Sequence, residues 1–292
     1  MIVFSGFDGI SVGLETLLNA GVDVTEYHSS EIESSAIKVS ESNHDGIKRY
    51  GDITKWRTWD IDWSSIDLVI GGSPCQGFSK AGKLLEFDDP RSKLYFVFED
   101  ILNHIQNWRK LMGKPPAEFM LENVRMSNAS REVITERLGV KPVFINSDVV
   151  SPCSRPRYYW ASFEITQPKP VADYYSDHVD YSIEDHYVTP GWYKWWGRNG
   201  EWQLAKSYSR MIGPGDKGVC MTARQYSNWT GNFIVTPSGK IRKPSKQELA
   251  SVMGLPRNYF DCTTLNKAAV MVGNGWEVNT LTHIFKCMVK SQ

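Results

Sequence analysis

The run Ile66-Asp67-Leu68-Val69-Ile70 passes at once into Gly71-Gly72-Ser73-Pro74-Cys75-Gln76-Gly77-Phe78-Ser79, and this segment constrains the chain more than any other. A short apolar run bounded by Gly and Pro reads as a buried parallel strand that stops abruptly. Its cysteine then stands on a loop at the carboxyl edge of a sheet, the edge where open α/β sheets place their ligands. A second apolar run, Phe119-Met120-Leu121, ends in Glu122-Asn123-Val124. A loop thiol with a loop carboxylate points to nucleophilic catalysis assisted by an acid.

Strand-like and helix-like segments alternate through the first 160 residues. Strands are expected at Ile2-Val3-Phe4, Val22 to Tyr27, Leu68 to Ile70, Phe119 to Leu121 and Val143 to Ile145. Helices are expected from Gly9 to Asn19, with Gly21 as the C-cap, and from Ser34 to Ser42. A longer helix carries Leu94, Phe98, Leu102, Ile105 and Trp108 as its buried stripe. The alternation predicts an α/β fold, a doubly wound Rossmann-like sheet with right-handed crossovers. After Trp160 the texture changes. Residues 161–220 are rich in Tyr, Trp, Gly, Pro and Asp without a period, which reads as a small, loop-rich second domain. Helical patterning returns at Pro244 to Met253, where Ser245 and Glu248 form a capping box, and again at Val278 to Met288.

Composition narrows the class. No apolar run approaches ~20 residues, so no membrane span is expected. The first residues open directly into a strand with no basic segment, so no secretory signal is expected and the location is taken as cytoplasmic. Five scattered cysteines fit a reducing compartment better than a disulfide framework, and no metal site is expected. Net charge is zero, yet residues 1–186 hold 19 Lys and Arg against 28 Asp and Glu, while residues 187–292 hold 14 against 5. That asymmetry suggests an anionic partner for the C-terminal part.

The first turn, Phe4-Ser5-Gly6-Phe7-Asp8-Gly9-Ile10-Ser11-Val12-Gly13, lets a ligand approach the backbone closely, although it is not a GxGxxG fingerprint. Glu31 lies just past the second strand, where a carboxylate can accept from ribose hydroxyls. Asp52 falls in a later loop, placed to bind an adenine amino group. Either carboxylate, taken alone, is more often an N-cap or a surface residue.

In this order the motifs resemble those of the DNA (cytosine-5)-methyltransferases. The resemblance covers nearly the whole chain, with features of the de novo branch in Phe7-Asp8-Gly9-Ile10. It implies a catalytic S-adenosylmethionine domain at 1–160, a target recognition domain at 161–267, and a segment at 268–292 returning to the first. It implies catalytic roles for Cys75, Glu122, Arg157 and Arg155. Cofactor contacts are implied for Phe4, Gly6, Phe7, Asp8, Gly9, Ile10, Glu31, Ile32, Asp52, Ile53, Ser73 and Pro74, and in the closing motif for Asn274, Trp276, Glu277 and Val278. DNA contacts are implied for Gln76, Ser79, Lys80, Lys83, Thr222, Arg224 and Gln225. Cys75 would add to C6 of a cytosine flipped out of the duplex, with Glu122 at N3, and C5 would take the methyl group of S-adenosyl-L-methionine. The partner implied is double-stranded DNA, with a second copy of the chain and a cognate restriction enzyme as further candidates. One departure is Cys153, which stands where the family usually has Gln.

Rival readings differ in what they need. A zinc nucleobase deaminase requires Pro-Cys-x-x-Cys, and Phe78 occupies the second cysteine's place. A dinucleotide dehydrogenase leaves Cys75 and Glu122 unexplained. An RNA cytosine methyltransferase and a catalytically silent accessory subunit stay open. The stretch Trp192-Tyr193-Lys194-Trp195-Trp196-Gly197-Arg198 through Trp202 interleaves aromatics with cations, as a groove or phosphate reader or as the core of a small domain.

Overall fold

A computed structural model of the chain describes residues 1–73, 93–188, 209–226 and 230–291. It divides into two units. The first comprises Met1–Ile145, Pro156–Gln167 and Leu281–Gln292, and the second Asn146–Arg155 and Pro168–Thr280. No helix among the described residues is long and apolar enough to cross a membrane.

The first unit is built on a seven-stranded sheet. Its strands are β1 (Ile2–Gly6), β2 (Glu26–Ser30), β3 (Lys48–Arg49), β4 (Leu68–Gly71), β5 (Glu118–Val124), β6 (Val143–Asn146) and β7 (Pro156–Ala161), in the order β3-β2-β1-β4-β5-β7-β6. β1 pairs in parallel with β2 and with β4, and β4 in parallel with β5, whereas β7 runs antiparallel to β5. The chain therefore winds outward from β1 through β2 to β3, then returns to the other side of β1. That reversal opens a crevice at the carboxyl ends of β1 and β4. β1, β4 and β5 are buried for most of their length, so they read as apolar runs rather than alternations.

The sheet is covered by α1 (Val12–Asn19), α2 (Ser34–Asn43), α3 (Lys93–Leu111) and α4 (Asn128–Leu138). α1 ends where Gly21 adopts φ 82° two residues past Asn19, a left-handed stop that glycine takes without Cβ strain. α3 buries Tyr95, Phe98, Ile101, Leu102 and Ile105 against Phe4, Val69, Leu121 and Trp160.

Three expectations are corrected. The second strand runs over Glu26–Ser30, downstream of Val22 to Tyr27, because its register is set by β1, with Ile2 opposite Glu26 and Gly6 opposite Ser30. The buried His28, Ser29 and Ser30 are polar, so hydropathy gives no sign of them. Trp108 is 40% exposed rather than part of the buried stripe of α3. The i+4 partner of Ile105 is Arg109, and this is the residue that turns inward. Its guanidinium donates to the carbonyls of Ile66 at 2.7 Å and Pro115 at 2.6 Å and to Asp67 Oδ1 at 3.0 Å. Finally, Glu122-Asn123-Val124 are not loop residues. They complete β5, because β7 pairs alongside and holds them extended, with Glu122 opposite Tyr159 and Val124 opposite Arg157.

The second unit holds a small sheet in the order β10-β9-β8, from β8 (Ser209–Ile212), β9 (Gly231–Val235) and β10 (Ile241–Arg242). Helices α5 (Lys246–Val252) and α6 (Leu265–Asn274) follow, and α7 (Val278–Ser291) begins in it. The Ser245 hydroxyl accepts from Glu248 N, while the Glu248 carboxylate accepts from Ser245 N at 2.6 Å, closing the capping box. The same carboxylate takes both Arg242 Nη atoms at 2.7 Å, and both side chains are fully buried. Asp180 completes the knot through its backbone, donating N–H to Glu248 and accepting from Arg242 at 2.8 Å each.

Candidate active site

Pairing register brings the last residues of β2, β1 and β4 and the middle of β5 onto one line. Ser30, Gly6, Gly71 and Leu121 are successive Cα partners across β2, β1, β4 and β5. Glu31, Phe7 and Gly72 follow past the strand ends, while Glu122 continues β5 beside them. Gly6 and Gly71 are glycine because the row is crowded: a Cβ on Gly71 would stand 2.7 Å from the Phe98 ring, and one on Gly6 3.0 Å from Ile53 Cδ1. Here the glycines admit the core as well as leaving room for a ligand.

The first turn is left-handed at three alternate residues, with φ of 58° at Phe7, 59° at Gly9 and 62° at Ser11. Only Gly9 adopts this region freely, and non-glycine residues there cost about 1 kcal/mol each. The compensation is Asp8. Its Oδ1 accepts from Ser5 Oγ at 2.6 Å and Tyr27 Oη at 2.7 Å, and its Oδ2 from Ser11 Oγ at 2.5 Å and Ser29 Oγ at 2.8 Å. The carboxylate is buried and engaged by four hydroxyls. Phe4 is likewise fully buried, its ring against Trp59 and Trp63, so only its backbone stands near the turn. Ile10 is also buried.

Glu31 closes the turn from the second strand. Its Oε2 accepts from Gly9 N at 2.7 Å and its Oε1 from the amides of Ile32 and Glu33 at 2.8 Å. Beside it, Ile32 is 74% exposed, an apolar side chain offered to solvent. Asp52 is the N-cap of the short 3₁₀ helix Ile53–Thr58, accepting from Thr54 N at 3.0 Å and Thr54 Oγ1 at 2.8 Å. Those bonds hold its carboxyl below the usual aspartate range. Ile53 packs into the core.

On the other side of the row, Arg157 Nε lies 2.7 Å from Glu122 Oε1. The sheet explains the pair. Glu122 stands opposite Tyr159, and Arg157 is two residues from Tyr159 on the same face, a diagonal neighbour within reach of a long side chain. Both side chains are about nine-tenths buried, so the carboxylate has one fixed orientation. Asn123 carries a function the sequence reading did not assign. Its Nδ2 donates to Ser73 O at 3.3 Å and Ser73 Oγ at 3.1 Å, tying down the chain two residues before Cys75 in sequence. The Asn in Glu122-Asn123-Val124 was the available signal: a buried amide at a strand end needs specific partners. Pro74, Cys75, Gln76, Ser79, Lys80 and Lys83 lie outside the described residues, as does the Trp192–Trp202 stretch.

The remaining expected residues fall in the second unit. The Arg155 guanidinium donates to Gly273 O at 3.1 Å and Met221 O at 3.4 Å, a brace between segments. Gln225 is buried, with Nε2 donating to Ala269 O at 2.6 Å. Thr222 is half-buried and Arg224 exposed. Asn274 is exposed at the end of α6, and Trp276 and Val278 are buried. Glu277 caps α7, accepting from Asn279 N at 2.9 Å and from Thr280 N and Oγ1 at 2.8 and 2.6 Å. Burial pushes its carboxyl up to about 7. Cys153 is buried, and burial raises its thiol well above the usual range, which makes it inert.

Comparison with known proteins finds relatives of one kind. The family model described as C-5 cytosine-specific DNA methylase matches residues 2–138. The Type II methyltransferase M1.ScrFI of Lactococcus lactis subsp. cremoris is 26% identical over 320 aligned positions, covering 99% of this chain and 77% of the relative. M.NlaX of Neisseria lactamica, another Type II methyltransferase, is 28% identical, covering 88% and 85%. The Dnmt2 methyltransferase of S. pombe superposes with a TM-score of 0.76 at 17% identity over 99% of this chain and 98% of that one, a likeness of fold.

Proposed function

We propose that this chain is a C-5 cytosine-specific DNA methylase, the family whose model matches residues 2–138, and that its residues methylate C5 of cytosine in DNA. The observation that carries the reading is the row of strand ends, with the Glu31–Gly9 clamp on one side and the Glu122–Arg157 pair on the other. S-adenosyl-L-methionine would supply an electrophilic methyl group. The residues present fit it: Glu31 offers a carboxylate for ribose hydroxyls, Ile32 an exposed apolar face for a purine, and the Cβ position of Gly9 meets nothing within 4 Å.

Cytosine C5 is a poor nucleophile while the ring stays aromatic. Addition of the Cys75 thiolate to C6 makes C5 enamine-like, and Glu122 at N3 stabilises the electron density displaced onto the ring. Arg157 holds Glu122 in one orientation. Asn123 fixes Ser73, two residues before Cys75 in sequence. Once C5 has been methylated, loss of its proton to solvent and expulsion of the Cys75 thiolate restore the C5–C6 double bond and leave 5-methylcytosine. A base inside a duplex cannot reach a strand-end cleft, so the target leaves the stack. Double-stranded DNA is the substrate we infer, and the basic C-terminal part, with exposed Arg224, is the surface we assign to it. We place the protein in the cytoplasm and take a cognate restriction enzyme as its partner in function.

The test is transfer of tritium from labelled S-adenosylmethionine to unmethylated duplex DNA, with transfer RNA in competition and Cys75→Ala alongside. Label in DNA that is lost in the variant is the expected result. Label appearing in RNA alone would overturn the substrate, and label persisting in Cys75→Ala would overturn the nucleophile.

A further inference from the structure

We infer that Asp8 is a positioning residue for the methyl donor, acting through the first turn without touching the ligand. The inference rests on the cofactor reading above and adds to it a residue that sets affinity from within the core.

The geometry is unusual. A carboxylate taken out of water ordinarily finds a cation. Asp8 is 6% exposed, and its four hydrogen bonds come from hydroxyls, two to each oxygen. The donors come from β1 (Ser5), β2 (Tyr27 and Ser29) and the residue that precedes α1 (Ser11). The backbone is tied as well: Asp8 N donates to Ser30 O at 3.0 Å, and Ser11 N donates to Asp8 O at 3.0 Å. The network continues outward. Ser11 Oγ lies 2.5 Å from Ser40 Oγ on α2, which accepts from Arg49 Nη2 on β3 at 2.9 Å. One side chain thus connects three strands and two helices around a single turn.

The network holds a turn that would otherwise relax. Phe7 and Ser11 are left-handed without being glycine, and such conformations persist where the surroundings over-determine them. Gly9 sits between them, and its N–H is the group that Glu31 grips at 2.7 Å. Loosening Asp8 would therefore move the two elements that face the ligand, Gly9 and the Glu31 carboxylate. Affinity would fall because the site must be ordered on binding rather than beforehand. The reacting groups lie across the row at Glu122 and Arg157, so the chemical step should be spared.

The experiment measures S-adenosylmethionine binding by calorimetry, and kcat at saturating donor, for wild type, Asp8→Asn, Ser29→Ala and Glu248→Gln. Asp8→Asn keeps the shape but replaces an acceptor with an amide donor. We expect its Kd to rise about tenfold with kcat within about twofold, the pattern of lost preorganisation. Ser29→Ala should raise Kd by about two- to threefold, and it serves in place of Asp8→Asn should that variant not fold. Glu248→Gln, which breaks a knot in the second unit, should lower the thermal midpoint and leave Kd unchanged. Wild type that binds while Asp8→Asn and Ser29→Ala bind equally well would overturn the positioning role alone. Wild type that does not bind would overturn the cofactor reading and this inference with it. An equal loss of affinity in Glu248→Gln would show a general effect of instability and also defeat it.

Discussion

Asp8 and Glu248 are both buried carboxylates, one in each unit, and they are satisfied by different chemistry. Asp8 takes four neutral hydroxyls. Glu248 takes the two Nη atoms of Arg242 and two backbone N–H groups. The hydroxyl cage draws on several segments, so it fixes a shape and can be dismantled one donor at a time. The ion pair concentrates its attraction in one partner, so it survives as a pair or fails as a pair. The first suits a turn that must present a ligand, and the second suits the anchoring of a helix.

The largest effect should come from splitting the charged knot. Glu248→Ala leaves Arg242 buried without its partner and should cost about 3–5 kcal/mol, read from chemical denaturation. Replacing both, Arg242→Met with Glu248→Leu, should recover most of that loss. A double variant as unstable as the single one would show that the backbone bonds to Glu248, rather than the ion pair, carry the stability.

Glu277 extends the comparison to a carboxylate with no cation among its hydrogen-bond donors. Its carboxyl is raised from 4.5 to about 7, chiefly by burial. Between those values the folded chain holds a proton that the unfolded chain has released, so stability is greatest below pH 4.5 and falls as pH rises through 7. The difference is roughly 3 kcal/mol. Glu277→Gln should flatten the stability profile over that window, and an unchanged profile would remove burial as the cause.

Crowding at the row of strand ends gives a smaller effect. Gly71→Ala puts a Cβ 2.7 Å from the Phe98 ring, and overpacking of this kind costs about 1–3 kcal/mol. Phe98→Leu should relieve it. Smaller still is the cap: Ser245→Ala removes one half of the capping box and should cost about 1 kcal/mol in the same denaturation experiment. On the catalytic side, Asn123→Asp removes both donors to Ser73. It should slow alkylation or adduct formation at Cys75 while leaving S-adenosylmethionine affinity within about twofold, since the donor side of the row is untouched.

Periodicity and end signals made much of the fold legible. β1, α1 with its glycine stop, and the Ser245–Glu248 box are local features whose donors and acceptors lie within a few residues. The strand holding His28, Ser29 and Ser30 was not legible. Those side chains are buried by bonds to Asp8, Gly51 and Tyr50, partners some twenty residues away. Arg109 was missed in the same way, since an arginine at a core position is tolerated only when distant carbonyls receive it. Within the candidate site, Glu122 and Arg157 were readable as residues. Their meeting was not, because it depends on the antiparallel register of β5 and β7.

By itself the sequence determined the alternation of strands and helices, the places where they stop, and the identity of the thiol, carboxylates and glycines available for chemistry. These follow from the intrinsic geometry of each residue and its nearest neighbours. Only the tertiary structure decided which carboxylates are met by distant segments. Asp8, Asp52, Glu277, Glu31 and Glu122 carry the same charge, and each has a donor within about 3 Å. Asp52 and Glu277 are held by residues two or three positions on, whereas Asp8, Glu31 and Glu122 are reached from elsewhere in the chain, and that is set by packing rather than by position in the sequence.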